Sequence, residues 1–126
     1  MKIYLHKEID EDLRLCKRKH FYNGLDEEFP RICRLLKADG FLPGECPIHY
    51  LGIELGNKIL HAGIYLPKDN QGKKKGARVV YLKENADIRK ILYVGGHKDS
   101  RYDDSHKLVN LIKERIISDL FQEWID

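Results

Sequence analysis

Two segments of the chain concentrate the side chains that phosphate chemistry needs. The segment Gly72–Tyr81 reads Gly-Lys-Lys-Lys-Gly-Ala-Arg-Val-Val-Tyr, so a lysine-rich loop opens directly into a strand that carries Arg78. The segment Ile91–Tyr102 begins as an apolar strand and ends in polar residues. Those polar residues are His97, Lys98, Arg101 and Tyr102. If the two strands are neighbours, their polar ends converge, which favours a site that cleaves nucleic acid.

Cleavage of RNA without a metal could use these residue types. The ribose 2′-hydroxyl serves as an internal nucleophile, so the site needs a base, positive charge on the phosphate and an acid for the leaving 5′-oxygen. A histidine such as His97 exchanges a proton near neutral pH, and the planar fork of Arg78 matches phosphate oxygens. Tyr81 or Tyr102 could stack on a nucleobase. The RNA backbone would be held by Lys73, Lys74 and Lys75.

The first half of the chain predicts one strand and two helices that could support this site. Alternation at residues 2–6 is typical of a strand. Apolar residues at helical spacing predict an amphipathic helix over 10–20, with Asp12 on its outer face. A second helix is predicted over 26–40, because Pro30 lies near its start and Gly40 is a natural terminator. The two helices would form an antiparallel hairpin.

The second half predicts three strands and a final helix, after a connector over 41–57. The strands are expected at Lys58–Leu66, Ala77–Lys83 and Lys90–Gly96. Short polar connections favour antiparallel pairing. Asp103 or Asp104 could cap a helix that reaches about Trp124, and its wide apolar stripe could bind a second copy of the chain. The order β-α-α-β-β-β-α predicts an α+β fold, with the helical hairpin packed on a small antiparallel sheet in a single domain over 1–126.

The composition bounds the class of protein. A net charge of +3 in 126 residues excludes a strongly polybasic protein but allows a local basic face. No apolar run approaches the roughly 18 residues of a membrane span, so no membrane partner is expected. The three cysteines form no Cys-x-x-Cys pair. Each of Cys16, Cys33 and Cys46 is therefore predicted to be a small buried residue. Their odd number and the polar start of the chain predict a cytoplasmic protein.

No metal or other cofactor is expected. The Asp103-Asp104 pair near His106 has metal-binding residue types, but a helix start explains it better.

The element order and the strand motifs resemble the RelE/ParE-type toxin superfamily of bacterial toxin–antitoxin systems. The resemblance covers the whole chain in element order and rests mainly on Lys58–Tyr102 in residue terms. It is closest over Gly72–Tyr81, since RelE-like toxins commonly carry a Gly-x-Arg-Val/Leu-Val/Ile-Tyr strand and HigB-like relatives precede it with a Gly/Lys-rich loop. The later Ile-Leu-Tyr-Val-Gly-Gly-His97-Lys98 is similar to their last strand, which ends in a basic or histidine-containing segment before an aromatic residue.

The resemblance implies the toxin of a type II toxin–antitoxin system. Such a toxin is an endoribonuclease that cuts mRNA on the ribosome, inhibits translation and is neutralised by a cognate antitoxin. The matching positions imply that Arg78 contacts the scissile phosphate, that His97 is a general acid or phosphate contact, and that Tyr102 stacks or transfers a proton. Lys98 and Arg101 would assist.

One strand departs from the family's pattern. Relatives often carry basic residues on the strand before the arginine strand, at the positions of His61 and Gly63 here. His61 could serve in part, whereas Gly63 cannot. The missing basic residue therefore leaves two alternatives open, a ParE-like inhibitor of DNA gyrase that cuts no RNA and an inactive relative that acts as a binding module.

Each candidate residue also has an ordinary structural interpretation. Arg78 could pair with a carboxylate on a neighbouring strand, and His61 could be a hydrogen-bonded strand residue. Tyr81 could pack in the core, and Tyr102 could pack under the last helix. The three lysines could belong to a solvated loop.

Overall fold

The computed structural model describes residues 1–51, 58–67 and 76–126. Its strands are β1 (Lys2–His6), β2 (Cys46–Pro47), β3 (Ile59–Ile64), β4 (Ala77–Asn85), β5 (Ile88–Gly96) and β6 (Phe121–Glu123). Its helices are α1 (Ile9–Arg18), α2 (Leu25–Asp39), α3 (Ser100–Asp103) and α4 (Ser105–Ser118), with a 3₁₀ turn at His49–Leu51. The α+β class is confirmed. The predicted lysine loop at residues 72–75 lies outside the described residues.

The strands form one mixed sheet in the order β2-β3-β4-β5-β1-β6. The pairs β3–β4 and β4–β5 are antiparallel as expected. A two-residue turn at residues 86–87 joins β4 to β5, and so short a connection allows only antiparallel pairing. β1 instead pairs in parallel with β5, from Lys2 opposite Ile88 to Leu5 opposite Ile91. The prediction of a small antiparallel sheet was therefore wrong for β1. No hairpin connects β1 to β5, so local sequence does not dictate its direction.

Helices cover both faces of the sheet. α1 and α2 bury one face, where Val79 and Tyr81 of β4 alternate into the core. α4 packs on the opposite face, where Val80 and Leu82 lie in a second apolar cluster. The period of two along a strand produces this alternation. The helical hairpin thus packs on the sheet as predicted, but the sheet is sandwiched rather than covered on one face.

The ends of the first two helices follow ordinary rules. Gly40 adopts a φ of 78° and its N–H donates to Leu36 O at 2.8 Å, which terminates α2 as predicted. α2 begins at Leu25, one residue before the predicted start, and Pro30 is its sixth residue. Asp12 is fully buried, which corrects its predicted outer position. It follows Ile9 by three residues, so the helical period places it on the buried stripe.

The last helix is shorter than predicted. Asp104 caps it by accepting from the backbone N–H groups of His106 and Lys107, but α4 ends at Ser118. The chain then forms β6 along β1, and Trp124 N–H donates to Ile3 O at 2.7 Å. The helical spacing of Leu120 and Trp124 was misleading, because pairing with the open edge of β1 overrides local propensity.

The cysteines divide into two environments. Cys16 and Cys33 are buried, and desolvation raises the pKa of each thiol to about 12. Cys46 on β2 is exposed, so the prediction that all three are buried was wrong for this residue. Within the part of the chain that the structure describes, no helix is long and apolar enough to cross a membrane.

Candidate active site

Three of the predicted side chains meet around a fourth, Tyr102. The Tyr102 hydroxyl lies 2.7 Å from His61 Nδ1, and the Arg78 guanidinium is close enough to lower the pKa of Tyr102. The His97 ring meets the Tyr102 ring edge-on, with 4.9 Å between centroids. We call these four residues the Tyr102 cluster. Arg78 and His97 therefore both reach Tyr102, as the proposed convergence of two strand ends requires.

Strand register brings two members of the cluster together. His61 is opposite Val80 and Gly63 is opposite Arg78, so His61 and Arg78 are offset by two residues on neighbouring strands. An offset of two places both side chains on the same face of the sheet. This is the face covered by α4 and by the short helix α3, which carries Tyr102.

His97 reaches the cluster because β5 ends in a turn that only glycine fits easily. Gly96 has a φ of 151°, and a Cβ there would clash with Tyr22 and with the Gly76 carbonyl oxygen. The Gly96 carbonyl oxygen then accepts the Asp99 N–H at 3.0 Å and closes the turn. The sequence Gly-Gly before His97 therefore reflects backbone geometry rather than flexibility.

The Tyr102 hydroxyl is a proton donor at neutral pH. Burial raises the pKa of Tyr102 to about 12, against the lowering effect of the neighbouring Arg78. Arg78 can only donate, so its guanidinium beside Tyr102 does not compete for the Tyr102 hydrogen. The Tyr102 hydrogen is then available to His61 Nδ1. This chain of contacts couples a cation, a hydroxyl and an imidazole.

His97 has a carboxylate partner that sequence reasoning missed. Its Nδ1 lies 3.1 Å from Asp103 Oδ1, and 46% of the His97 side chain is exposed. A carboxylate at Nδ1 orients an imidazole and leaves Nε2 for proton exchange. Asp103 was predicted only as a helix start, and the turn of α3 that brings it back to His97 has no signal in residue spacing.

The charge of Arg78 is not neutralised by the described residues. Its Nη1 donates to the backbone oxygens of Gly76 and Ala77 at 3.1 Å, and no carboxylate in residues 1–51, 58–67 or 76–126 forms an ion pair with it. By contrast, Arg101 and Arg115 are both paired with buried aspartates. This part of the structure therefore leaves Arg78 available for an anion.

A cavity of about 420 Å³ opens beside Arg78 and His61. We call it the Arg78 cavity. Its lining also includes Arg31, Leu35, Leu42, Pro43, Gly63 and Tyr65. It lies at the edge of the sheet, next to the strand that carries His61.

Three other predicted RNA contacts are placed elsewhere. Lys98 Nζ donates to Phe21 O at 2.9 Å, which directs it to the loop between α1 and α2. Arg101 Nη2 lies 2.7 Å from an Asp99 carboxylate oxygen. Tyr81 is fully buried against α1 and α2, so its predicted stacking on a nucleobase is not available.

A network of buried, hydrogen-bonded side chains packs against the Tyr102 cluster. The Tyr93 hydroxyl donates to Asp99 Oδ2 at 2.9 Å, and the Tyr93 ring stacks on Tyr102 with 5.7 Å between centroids. Burial opposes ionisation of Asp99, yet the hydrogen bonds and charge of Arg101 lower its pKa below the usual value. Asp12 completes the network by pairing with Arg115 and Arg101. Only Asp12 had a signal in the sequence, its position on the apolar stripe of α1.

The aspartate pair Asp103-Asp104 has no metal-binding geometry in the described chain. Asp103 contacts His97, whereas Asp104 caps α4. No group of three or more His, Cys, Asp or Glu side chains in that part of the structure is arranged to hold a metal ion.

Comparison with models of protein families, with curated proteins and with solved structures finds no match to this chain.

Proposed function

We propose that this chain is a RelE-like toxin of a type II toxin–antitoxin system, an endoribonuclease that cuts mRNA on the ribosome without a metal. The observation that carries the proposal is the convergence of His61, Arg78 and His97 on the protonated Tyr102 hydroxyl and ring. Positive charge, an oriented imidazole and a proton donor are the three groups that attack by a 2′-hydroxyl requires. A cognate antitoxin and a cytoplasmic location belong to the same proposal.

The reaction assigns each group one task. His97 Nε2, with its ring oriented by Asp103, takes the proton of the ribose 2′-hydroxyl. The 2′-oxygen attacks phosphorus while Arg78 holds the phosphate oxygens and stabilises the growing negative charge. The bond to the 5′-oxygen breaks, and that oxygen takes the Tyr102 proton, which leaves a tyrosinate beside the Arg78 charge. Between turnovers His97 releases the 2′-hydroxyl proton to water and Tyr102 regains a proton from water. The products are a 2′,3′-cyclic phosphate and a 5′-hydroxyl end.

The test compares the wild type, Arg78→Ala and His97→Ala in a translation reaction in which mRNA ends are mapped. Arg14→Ala is the matched control, because Arg14 is exposed and pairs only with Glu11 among the described residues. We expect wild type and Arg14→Ala to cut mRNA and both cluster variants to lose about 10²-fold or more of this activity. Intact mRNA with all four proteins would overturn the proposal.

A second candidate is inhibition of DNA gyrase in the ParE manner. The observation that favours it is Gly63, which stands where nuclease relatives often carry a basic residue. A gyrase supercoiling assay with the wild type distinguishes the two functions. Loss of supercoiling with mRNA left intact would support this candidate.

A further inference from the structure

We propose that the Arg78 cavity is a nucleobase-binding subsite, which holds one base of the RNA whose phosphate lies on Arg78. The inference rests on the proposed function and extends it from phosphate chemistry to base recognition. The juxtaposition behind it is an open apolar cavity bordered by an arginine without a carboxylate partner among the described residues.

The size and lining of the cavity suit a flat apolar group. Its volume of about 420 Å³ lies within the roughly 300–1,000 Å³ of small-molecule sites. Leu35 of α2, Leu42 and Pro43 provide apolar surface, while Arg31, His61 and Arg78 provide polar groups. A nucleobase has the same division, with apolar faces and a polar edge attached to a sugar phosphate.

An exposed aromatic ring stands at this cavity. Tyr65 lines the cavity and is 66% exposed, so a face of its ring is accessible to a ligand. The Arg31 Nη2 donates to Tyr65 O at 3.3 Å, and Arg31 Nε is itself held by Glu28 at 2.6 Å. The α2 helix therefore fixes the backbone beneath a ring that is free to stack on a base.

The glycine at position 63 keeps the space beside Arg78 open. A Cβ on Gly63 would lie 3.5 Å from Arg78 Nη1, which is ordinary contact distance, so a larger side chain would cover the guanidinium. The absence of a side chain at position 63 therefore favours ligand binding. It leaves room for a ligand to enter between β3 and the arginine.

The experiment measures binding of nucleoside 3′-monophosphates by calorimetry and by NMR chemical shifts. Adenosine, guanosine, cytidine and uridine 3′-monophosphates are the probes, with inorganic phosphate and free adenosine as reference ligands. Tyr65→Ala removes the stacking ring, whereas Tyr65→Phe keeps the ring and removes only the hydroxyl. Gly63→Val fills the entrance, and Phe41→Ala is the matched control, because Phe41 is 51% exposed and does not line the cavity.

We expect at least one monophosphate to bind more tightly than inorganic phosphate and to shift the cavity residues. Tyr65→Ala is expected to weaken that binding by about 5- to 150-fold, the range for loss of one stacked base. Tyr65→Phe and Phe41→Ala should bind like the wild type. Gly63→Val should lose binding while its melting temperature stays near that of the wild type, since β-branched residues suit strands.

Two results separate this inference from the proposed function. The base-binding subsite alone would be overturned if mRNA is cut but no monophosphate binds more tightly than inorganic phosphate. The same conclusion holds if mRNA is cut and neither Tyr65→Ala nor Gly63→Val changes monophosphate binding. Monophosphate binding that depends on Tyr65 and Gly63, with mRNA left intact, would support the subsite and overturn the nuclease.

Discussion

Tyr102 makes contacts of two kinds, and the kinds can be separated by mutation. Its ring stacks on Tyr93 and meets the edge of His97, while its hydroxyl contacts His61 and Arg78. The ring contacts belong to packing, because they would persist without the oxygen. The hydroxyl contacts belong to the proposed chemistry, because they link the proton donor to the cation.

The change Tyr102→Phe deletes the hydroxyl and keeps the ring. We expect mRNA cleavage to fall by about 10²–10⁴-fold, the usual contribution of a positioned proton-transfer group. The free energy of unfolding should fall by only about 1–2 kcal/mol, because the change removes one partner of a buried hydrogen bond. Cleavage rates and urea denaturation measure the two effects, and Tyr4→Phe on β1 is the control. Cleavage at the wild-type rate would contradict the assigned role.

At the scale of elements, the site depends on the short helix α3 and on the two aspartates that cap α3 and α4. Asp99 accepts the Arg101 N–H at the start of α3, and Asp104 accepts the His106 and Lys107 N–H groups at the start of α4. Asp99 also binds the Tyr93 hydroxyl and the Arg101 guanidinium. Asp99 and Asp104 therefore both cap a helix, but only Asp99 also binds these two side chains, so mutation of each can separate the two roles.

We expect Asp99→Ala to lower the free energy of unfolding by about 2–4 kcal/mol, because it removes a cap and leaves buried donors without their acceptor. Asp104→Ala should cost only about 1 kcal/mol, since it removes a cap alone. Cleavage should fall in Asp99→Ala, which releases Tyr102 from its fixed position, and stay unchanged in Asp104→Ala. Denaturation and end-mapping measure both. Equal effects in the two variants would argue against a special role for Asp99.

Sequence reasoning succeeded where a local rule determines the structure. The helical stripe and Gly40 located the first two helices, and short apolar segments bounded by polar connections located β3, β4 and β5. It failed where distant parts of the chain decide, since β6 forms only because β1 offers an open edge. The site followed the same division. Strand ends predicted that Arg78 and His97 would meet, and the family resemblance pointed to His61, whereas the partners Asp99 and Asp103 depend on the path of α3.

At the scale of the whole molecule, one buried ion pair joins helices from opposite faces of the sheet. Arg115 of α4 donates to both carboxylate oxygens of Asp12 in α1, at 2.6 and 2.9 Å. Its Nη1 also donates to Leu92 O in β5. Both side chains are nearly inaccessible, at 8% and 0% exposed, so neither partner can turn to solvent if the other is removed.

We expect Asp12→Ala to destabilise the protein by about 3–5 kcal/mol, because it leaves a buried guanidinium short of its carboxylate. The double change Asp12→Leu with Arg115→Met should be less destabilising than the sum of the single changes. Urea unfolding of Asp12→Leu, Arg115→Met and the double variant measures the coupling, and the same assay of Asp12→Ala measures the first expectation. Strict additivity would show that the pair does not act as a unit.

Acid should weaken the fold through His6. The pKa of buried His6 is lowered from 6.5 by desolvation and by Arg115, against the raising effect of Glu8. Its Nε2 contacts Ser118, and its Nδ1 accepts the Glu8 N–H, so the neutral ring fits the site. The unfolded chain therefore binds more protons, and stability falls as pH drops below 6.5 through the folded pKa.

Unfolding at a series of pH values measures this loss in the wild type, in His6→Asn and in the control His106→Gln. We expect the decline below pH 6.5 to flatten in His6→Asn and to persist in His106→Gln. An unchanged decline in His6→Asn would assign the acid sensitivity to another group.

The position of β1 between β5 and β6 has a consequence for the newly made chain. Residues 2–6 are synthesised well before their partners at 88–91 and 121–123. Until then β1 has two unpaired edges, which are a known route to association with other chains. Such distant pairing also slows folding. The sheet is therefore completed only after residue 123 has been synthesised, and a chain interrupted before that point exposes β1 to the chaperones and proteases of the cell.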